Sequence, residues 1–64
     1  MRRLTGSYDG IDYALIEYAD GQVECPPAVL DLFQQPDGSL PTGAELEQVC
    51  RLFFGESFRV EEVA

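Results

Sequence analysis

The sequence predicts an α+β fold in a single domain of residues 1–64, with the element order β-β-β-α-α-β. Three observations predict it. Residues 1–25 alternate strand-like segments with Asp-Gly pairs, the middle of the chain has helical apolar spacing, and the last segment alternates apolar and charged residues. The simplest packing of these elements is a small antiparallel sheet with two short helices packed on one face.

The N-terminal part predicts three strands joined by two tight turns. Residues 3–8, RLTGSY, are typical of a short strand, and Asp9-Gly10 follows as a turn dipeptide. Residues 11–18 are the strongest strand candidate because they are rich in Tyr and Ile. Asp20-Gly21 indicates a second hairpin turn, after which residues 22–25 return as the third strand. We therefore expect a meander with residues 11–18 as a central strand.

The first predicted helix follows a proline pair. Pro26-Pro27 ends the third strand, because proline cannot donate to a strand ladder and suits the first turn of a helix. Residues 27–35, PAVLDLFQQ, then place Val29, Leu32 and Phe33 at i, i+3 and i+4. This spacing predicts a short amphipathic helix that ends before Pro36.

The second predicted helix begins at TGAE. Thr42 as N-cap, with Glu45 three residues later, is typical of a capping box. Glu47 and Arg51 are spaced for an i, i+4 ion pair, and Gly55 is suited to end the helix. Its apolar stripe comprises Leu46, Val49, Cys50 and Phe53.

The last segment, SFRVEEV at residues 57–63, predicts a strand with one solvated side. Phe58 and Val60 fall on one face, and Arg59 and Glu61 fall on the other. We expect this strand to pair with one of the first three, and the sequence leaves open which one.

The charge of the chain restricts its partners. Twelve Asp and Glu residues against four Arg give a net charge of −8. Such charge disfavours direct binding to nucleic acid or an anionic membrane, because phosphates are bound by Lys and Arg. No apolar run approaches the ~20 residues that span a bilayer, and the residues after Arg2-Arg3 do not resemble a signal peptide. We therefore expect a cytoplasmic protein with basic partners.

Several residue types needed for catalysis are missing. The sequence contains no His and no Lys, so the commonest general base and Schiff-base chemistry are both excluded. Cys25 and Cys50 form no CxxC pair, and we expect them to be reduced thiols rather than a zinc site or a nucleophile. The acids of residues 9–21 do not match the EF-hand spacing. We expect no enzyme activity, no cofactor and no dedicated metal site.

The tyrosines and acids of residues 11–18 divide between two faces. A period of two places Tyr13 and Glu17 on one face and Asp12 and Tyr18 on the other. At most half of them can therefore meet one partner. Two interpretations of the tyrosines stay open: they pack sheet edges with their hydroxyls in water, or one of them anchors an interface.

The acids as a set also allow two interpretations. They are spread evenly along the chain, which is compatible with plain solubility. Alternatively, a rigid sheet presents carboxylates about 6.6–6.8 Å apart along a strand, as a row of fixed charges that resembles a nucleic-acid backbone. Tyr13 or Tyr18 would then be the aromatic anchor. The residues that we expect to bind a basic partner in that case are Asp9, Asp12, Tyr13, Glu17, Tyr18, Asp20 and Glu24.

In its length, its charge and the carboxylates on its hairpins, the chain resembles the small acidic phage-encoded anti-CRISPR proteins that act on type I effector complexes. The resemblance implies a stoichiometric inhibitor in the cytoplasm of a bacterial host. We expect a monomer, although the sequence leaves the oligomeric state open. Such an inhibitor binds a basic DNA-recognition surface and blocks target DNA. The class shares no common motif, so no residue role is transferred. The alternative function is a small non-catalytic interaction module or subunit that uses an apolar or tyrosine patch.

Overall fold

A computed structural model describes residues 1–63 as a four-stranded antiparallel sheet with two helices. Short 3₁₀ turns precede the first helix, at Pro27–Val29, and follow the second, at Gly55–Ser57. The predicted fold class and element order are confirmed. The strands are β1 (Arg2–Tyr8), β2 (Ile11–Glu17), β3 (Val23–Glu24) and β4 (Arg59–Glu62), and the helices are α1 (Leu30–Phe33) and α2 (Gly43–Phe54).

The strand order across the sheet is β3-β2-β1-β4, so β1 and β2 are the central strands. The position predicted for residues 11–18 is therefore confirmed. The strand that the sequence could not place, β4, pairs antiparallel with β1 from Arg2↔Glu62 to Thr5↔Arg59. The partner of β4 is thus the strand most distant from it in sequence.

Both Asp-Gly pairs form the hairpin turns that the sequence predicts. Asp9 and Gly10 have φ angles of 54° and 79°, as a two-residue loop between twisted strands requires. In the second turn the Gly21 amide donates to the Tyr18 carbonyl at 3.0 Å, and the Tyr18 amide donates to the Gln22 carbonyl at 2.8 Å. Gly21 has a φ of 91°, which closes a three-residue loop.

The core lies between one face of the sheet and the two helices. The row of α2 nearest the sheet follows i, i+4, i+8 spacing and ends at Phe54, which is buried, whereas Phe53 is half-buried on the flank. The predicted stripe is therefore rotated by one position at its end. Phe53 instead packs edge-to-face on Tyr8, with ring centroids 5.8 Å apart. The buried hydrophobic residues of the core are Leu4, Leu15, Val29, Phe33, Leu46, Cys50 and Phe54.

The predicted capping box is wrong. Thr42 is the N-cap residue, but its side chain makes no capping hydrogen bond. Glu45 accepts instead from the Gln35 side-chain amide at 3.4 Å. The free Gly43 amide at the helix start donates to the Glu17 carboxylate at 2.6 Å. The start of α2 is thus bonded by a carboxylate from β2, at the Gly43 amide rather than at the Glu45 amide that a capping box uses.

The ends of the helices match the remaining local signals. Gly55 ends α2 with a φ of 58°, and its amide donates to the Arg51 carbonyl. Glu47 lies 4.0 Å from Arg51, so the predicted i, i+4 pair is present at the limit of ion-pair distance. Only Leu30–Phe33 of the predicted first helix is α-helical, because the preceding turn around Pro27 is 3₁₀.

Gly6 allows α2 to approach the sheet closely. It is buried in β1 opposite Tyr13, and the ring of Phe54 lies directly over its Cα. A Cβ at this position would be 2.6 Å from Cδ2 of Phe54 and closer still to its Cβ and Cγ. Since real Cβ atoms do not approach so closely, any side chain here forces α2 away from β1.

We expect Gly6→Ala to destabilise the fold by about 1–3 kcal/mol, since overpacking displaces a helix rather than a flexible side chain. Urea unfolding of the variant measures the loss as a lower midpoint. Thr5→Ala, at the adjacent residue on the opposite face of β1, is the control and should change the midpoint little. Equal midpoints for Gly6→Ala and the unmodified chain would show that a Cβ at residue 6 fits beneath Phe54 without loss of stability.

Candidate functional site

The sheet face away from the helices, called the open face below, is covered by no element of residues 1–63. Ala14 shows this most clearly, since it is exposed although it lies on a central strand. The alternation along each strand places on this face Arg3, Thr5, Ser7, Asp12, Ala14, Ile16, Tyr18, Glu24, Arg59 and Glu61.

Three of the seven residues predicted to bind a partner lie on the open face. Asp12 is exposed on β2 and accepts a hydrogen bond from the Ser7 hydroxyl on β1. Glu24 is exposed on β3, opposite Ile16 of β2. The Glu24 carboxylate lies beside the Tyr18 phenol, and it raises the pKa of Tyr18 by a hydrogen bond that favours the protonated phenol. Tyr18 and Glu24 thus form one patch, and Asp12 lies further along the same face.

Two shallow depressions mark the open face on either side of Ala14. One has a volume of about 390 Å³ and is bordered by Thr5, Ser7 and Asp12. The other has a volume of about 400 Å³ and is bordered by Ile16 and Glu24. Each depression combines a carboxylate with hydroxyl or apolar neighbours, which suits a basic side chain with a long aliphatic stem.

Asp9 and Asp20 lie in the two hairpin turns, at opposite ends of β2. Asp9 is exposed at the tip of the β1–β2 turn. Asp20 is also exposed, and its carboxylate accepts from the Gln22 amide at 3.0 Å. The seven residues of β2 separate the turns by roughly 20–25 Å at ~3.4 Å per residue. The two carboxylates therefore do not form one cluster.

Tyr13 and Glu17 lie on the helix-covered face. Tyr13 is half-buried against the core. The Glu17 side chain is 12% exposed and accepts from Nε of Arg2 at 2.7 Å as well as from the Gly43 amide at 2.6 Å. The hydrogen bond from Gly43, followed by the contacts with Arg2, lowers the pKa of Glu17. Glu17 is therefore part of the internal structure, and we leave both residues out of the surface proposed below.

The group formed by Arg2, Glu17, Glu47 and the Gly43 amide is called the arginine junction below. Nη1 of Arg2 lies 3.0 Å from a Glu47 oxygen, so one guanidinium links β2 with α2. The contacts with Glu17 and Glu47 raise the pKa of Arg2. Reasoning from sequence missed this group, since its members are far apart in the chain.

Few of the acids are neutralised. Among residues 1–63, only Glu17, Glu47 and Glu61 lie within 4.0 Å of an arginine nitrogen. Arg59 contacts the backbone carbonyls of Glu56 and Phe58 at 2.9 and 2.8 Å and no carboxylate. Nine of the twelve acids in the sequence are therefore without an arginine partner. The fold keeps its negative charge at the surface.

The cysteines show little reactivity in this arrangement. Both are free thiols, as predicted. Cys50 is fully buried in the core, and burial raises its pKa to about 12. Cys25 is half-buried, and burial raises its pKa as well. Neither thiol is ionised at neutral pH, and the thiolate is the nucleophilic form.

Residues 1–63 contain neither a group of metal ligands nor a membrane-spanning helix. No three His, Cys, Asp or Glu side chains in this part of the chain lie together as a metal site. None of its helices has the length and apolar composition to cross a membrane. Comparisons with protein-family models, with curated proteins and with solved structures found no match.

We expect Glu17→Gln to destabilise the fold by about 1–2 kcal/mol, because hydrogen bonds to a charged acceptor are stronger than those to a neutral one. Urea unfolding at neutral pH measures the difference. Glu61→Gln is the matched control, since Glu61 forms an exposed pair with Arg3 at 2.7 Å and should contribute less than about 0.5 kcal/mol. Similar losses in both variants would contradict a special role for the arginine junction.

The effect of Glu17→Gln should also depend on pH. The folded pKa of Glu17 lies below its ordinary value of 4.5. A carboxylate with a lowered folded pKa contributes stability above its unfolded pKa and loses that contribution as the pH falls through the folded pKa. The difference between the unmodified chain and Glu17→Gln should therefore be constant near neutral pH and shrink below about pH 4.5. A difference that is the same at all pH values would contradict this assignment.

Proposed function

We propose that the chain is a non-catalytic acidic protein whose open face binds a basic nucleic-acid-binding surface of another protein and keeps nucleic acid from it. The observation that carries the proposal is that nine of twelve acids have no arginine partner within residues 1–63, while one complete sheet face is uncovered. Two of these nine acids, Asp12 and Glu24, lie on the uncovered face.

The sheet supports the proposal by holding its carboxylates at fixed positions. Glu24 lies opposite Ile16, which is four residues from Asp12 on β2. Four rises of ~3.4 Å and one strand spacing of ~4.8 Å place the two backbone positions about 14 Å apart. Asp9 and Asp20 lie in the turns beyond each end of β2. A basic groove that binds successive phosphates would meet a comparable series of fixed negative charges.

Electrostatics supports binding to such a groove in two ways. Complementary charge raises the association rate, and that increase falls as salt screens the interaction. Tyr18 adds an aromatic ring beside Glu24 on the same face, and tyrosine is frequent among the residues that dominate binding energy. The charge of the surface thus raises the association rate, and Tyr18 slows dissociation by adding binding energy.

The resemblance to anti-CRISPR proteins makes a type I CRISPR effector complex the first partner to test. In that role the chain would act stoichiometrically in a bacterial cytoplasm and block the binding of target DNA. The same surface could also bind a basic DNA-binding protein of another kind.

We expect the double substitution Asp12→Lys with Glu24→Lys to weaken binding by at least tenfold, roughly 1.4 kcal/mol, because two attractive contacts become repulsive. The unmodified chain and the variant are immobilised and compared for retention of a purified type I effector complex and of DNA-binding proteins from a bacterial lysate. Asp31→Lys with Glu45→Lys is the matched control, since it makes the same charge change on the helices.

Two further measurements separate this proposal from its alternative. Raising the salt concentration from about 0.1 to about 0.5 M should release the partner. The Debye length, about 10 Å at the lower concentration, becomes shorter, so the attraction between the two charged surfaces is screened. Excess duplex DNA should release it as well, since DNA and the chain would occupy one surface. Retention that withstands salt and DNA, and is equal in both double variants, would instead favour an interaction module that uses an apolar patch.

A further inference from the structure

β4 leaves a complete strand edge unpaired within residues 1–63. It is the outermost strand beside β1, and all four of its residues, Arg59–Glu62, are exposed. The Val60 side chain is 44% exposed although it lies on the same face as the core residue Leu4. Neither helix covers this edge.

The hydrogen-bond pattern identifies which backbone groups are free. The Val63 amide donates to the Met1 carbonyl at 2.8 Å, so residues 1 and 63 form a hydrogen-bonded pair. Because such pairs alternate in an antiparallel ladder, residues 61 and 59 also bond to β1. The amides and carbonyls of Val60 and Glu62 consequently point away from the sheet. They form a repeat of donors and acceptors that an added strand can use.

The other sheet edge is protected, whereas β4 is not. β3 has only two residues and is followed at once by Cys25, Pro26 and Pro27. Proline and shortness are both common protections of sheet edges. β4 contains no proline and no glycine, and its only protection is charge, in Arg59, Glu61 and Glu62, of which two are acidic. Such protection excludes apolar and acidic strands but attracts basic ones.

We infer that β4 accepts an extended, basic segment of a partner protein as a fifth strand of the sheet. The backbone groups of Val60 and Glu62 bind the backbone of that segment. Its side chains then lie within about 4.5–5.5 Å of those of β4. Lys or Arg opposite Glu61, with an apolar side chain opposite Val60 on the other face, complements the charge and the apolar surface of this edge.

This inference rests on the proposed function only for the basic character of the partner. The edge and the open face are different surfaces, so one can fail without the other. A second copy of the chain is the less favourable occupant, since both copies carry a net charge of −8. A symmetric pairing centred on Glu61 or Glu62 would also place identical carboxylates opposite each other.

The first experiment uses a capped hexapeptide of alternating arginine and valine, and a glutamate–valine hexapeptide as its counterpart. Amide hydrogen exchange of the full chain is followed by NMR with each peptide in excess. We expect the arginine peptide to slow exchange at Val60 and Glu62, and the glutamate peptide to leave it unchanged. The amides of Arg59 and Glu61, which already bond to β1, should change little. Unchanged exchange at Val60 and Glu62 with the arginine peptide would overturn the inference.

The second experiment uses the direction of the Val60 amide. Val60→Pro removes a donor that points to solvent and leaves the bonds between β1 and β4 in place. We expect it to weaken binding of the arginine peptide at least tenfold, whereas Val60→Thr, which keeps the amide, should bind as the unmodified chain does. The NMR spectrum of β1 and β2 reports whether each variant is folded. If Val60→Pro does not fold, the amide exchange at Val60 and Glu62 in the unmodified chain and in Val60→Thr still shows whether the peptide binds at β4.

Three results would contradict strand addition at β4. Equal binding of the peptide by Val60→Pro and Val60→Thr would exclude the backbone contact. Slower exchange at Val60 that depends on protein concentration alone would show that a second copy occupies the edge. Loss of peptide binding in the Asp12→Lys, Glu24→Lys variant, with Val60→Pro unaffected, would assign the peptide to the open face and leave the proposed function intact.

Discussion

The arginine junction is the interaction on which the rest of the structure depends. Glu17 at the end of β2 receives the first free amide of α2 and the guanidinium of Arg2 on β1, and the same guanidinium contacts Glu47 one turn into the helix. These contacts fix where the helix begins relative to both central strands. Since the helix start is fixed, its buried row lies over Leu4 and Leu15, and Gly6 provides the space for the other end.

The same junction explains why so much charge remains outside. The chain has four arginines, and Arg2 is paired with Glu17 and Glu47, while Arg3 is paired with Glu61. Too few cations then remain to neutralise the surface. Repulsion among the remaining acids is tolerated because a small rigid sheet holds them apart. The small number of arginines therefore explains why the acids outside the arginine junction remain charged at the surface.

Local signals in the sequence predicted the turns and the ends of the elements well. Contacts between residues that are distant in sequence could not be predicted. The Asp9-Gly10 and Asp20-Gly21 turns, the proline break and the Gly55 helix end depend on backbone chemistry within a few residues, and all are present. The capping box is absent, and the side-chain contact at the helix start comes from Glu17, which is distant in sequence. The pairing of β4 and the burial of Phe54 depend on how elements pack, which no single segment encodes. For the candidate surface, period two predicted that Asp12 and Tyr18 lie apart from Tyr13 and Glu17, but not which face the helices would cover.

The pairing of β1 with strands from both parts of the chain has a consequence for the order of folding. β1 meets β2 across a two-residue turn, but it meets β4 across a sequence separation of 58 positions from Arg3 to Glu61. Closing a short loop costs little chain entropy, whereas distant pairing must wait for the segments between to become ordered. The β1–β2 hairpin is thus suited to form early, with β4 added last. Among the contacts of β1, those with β4 carry the greatest entropic cost of formation.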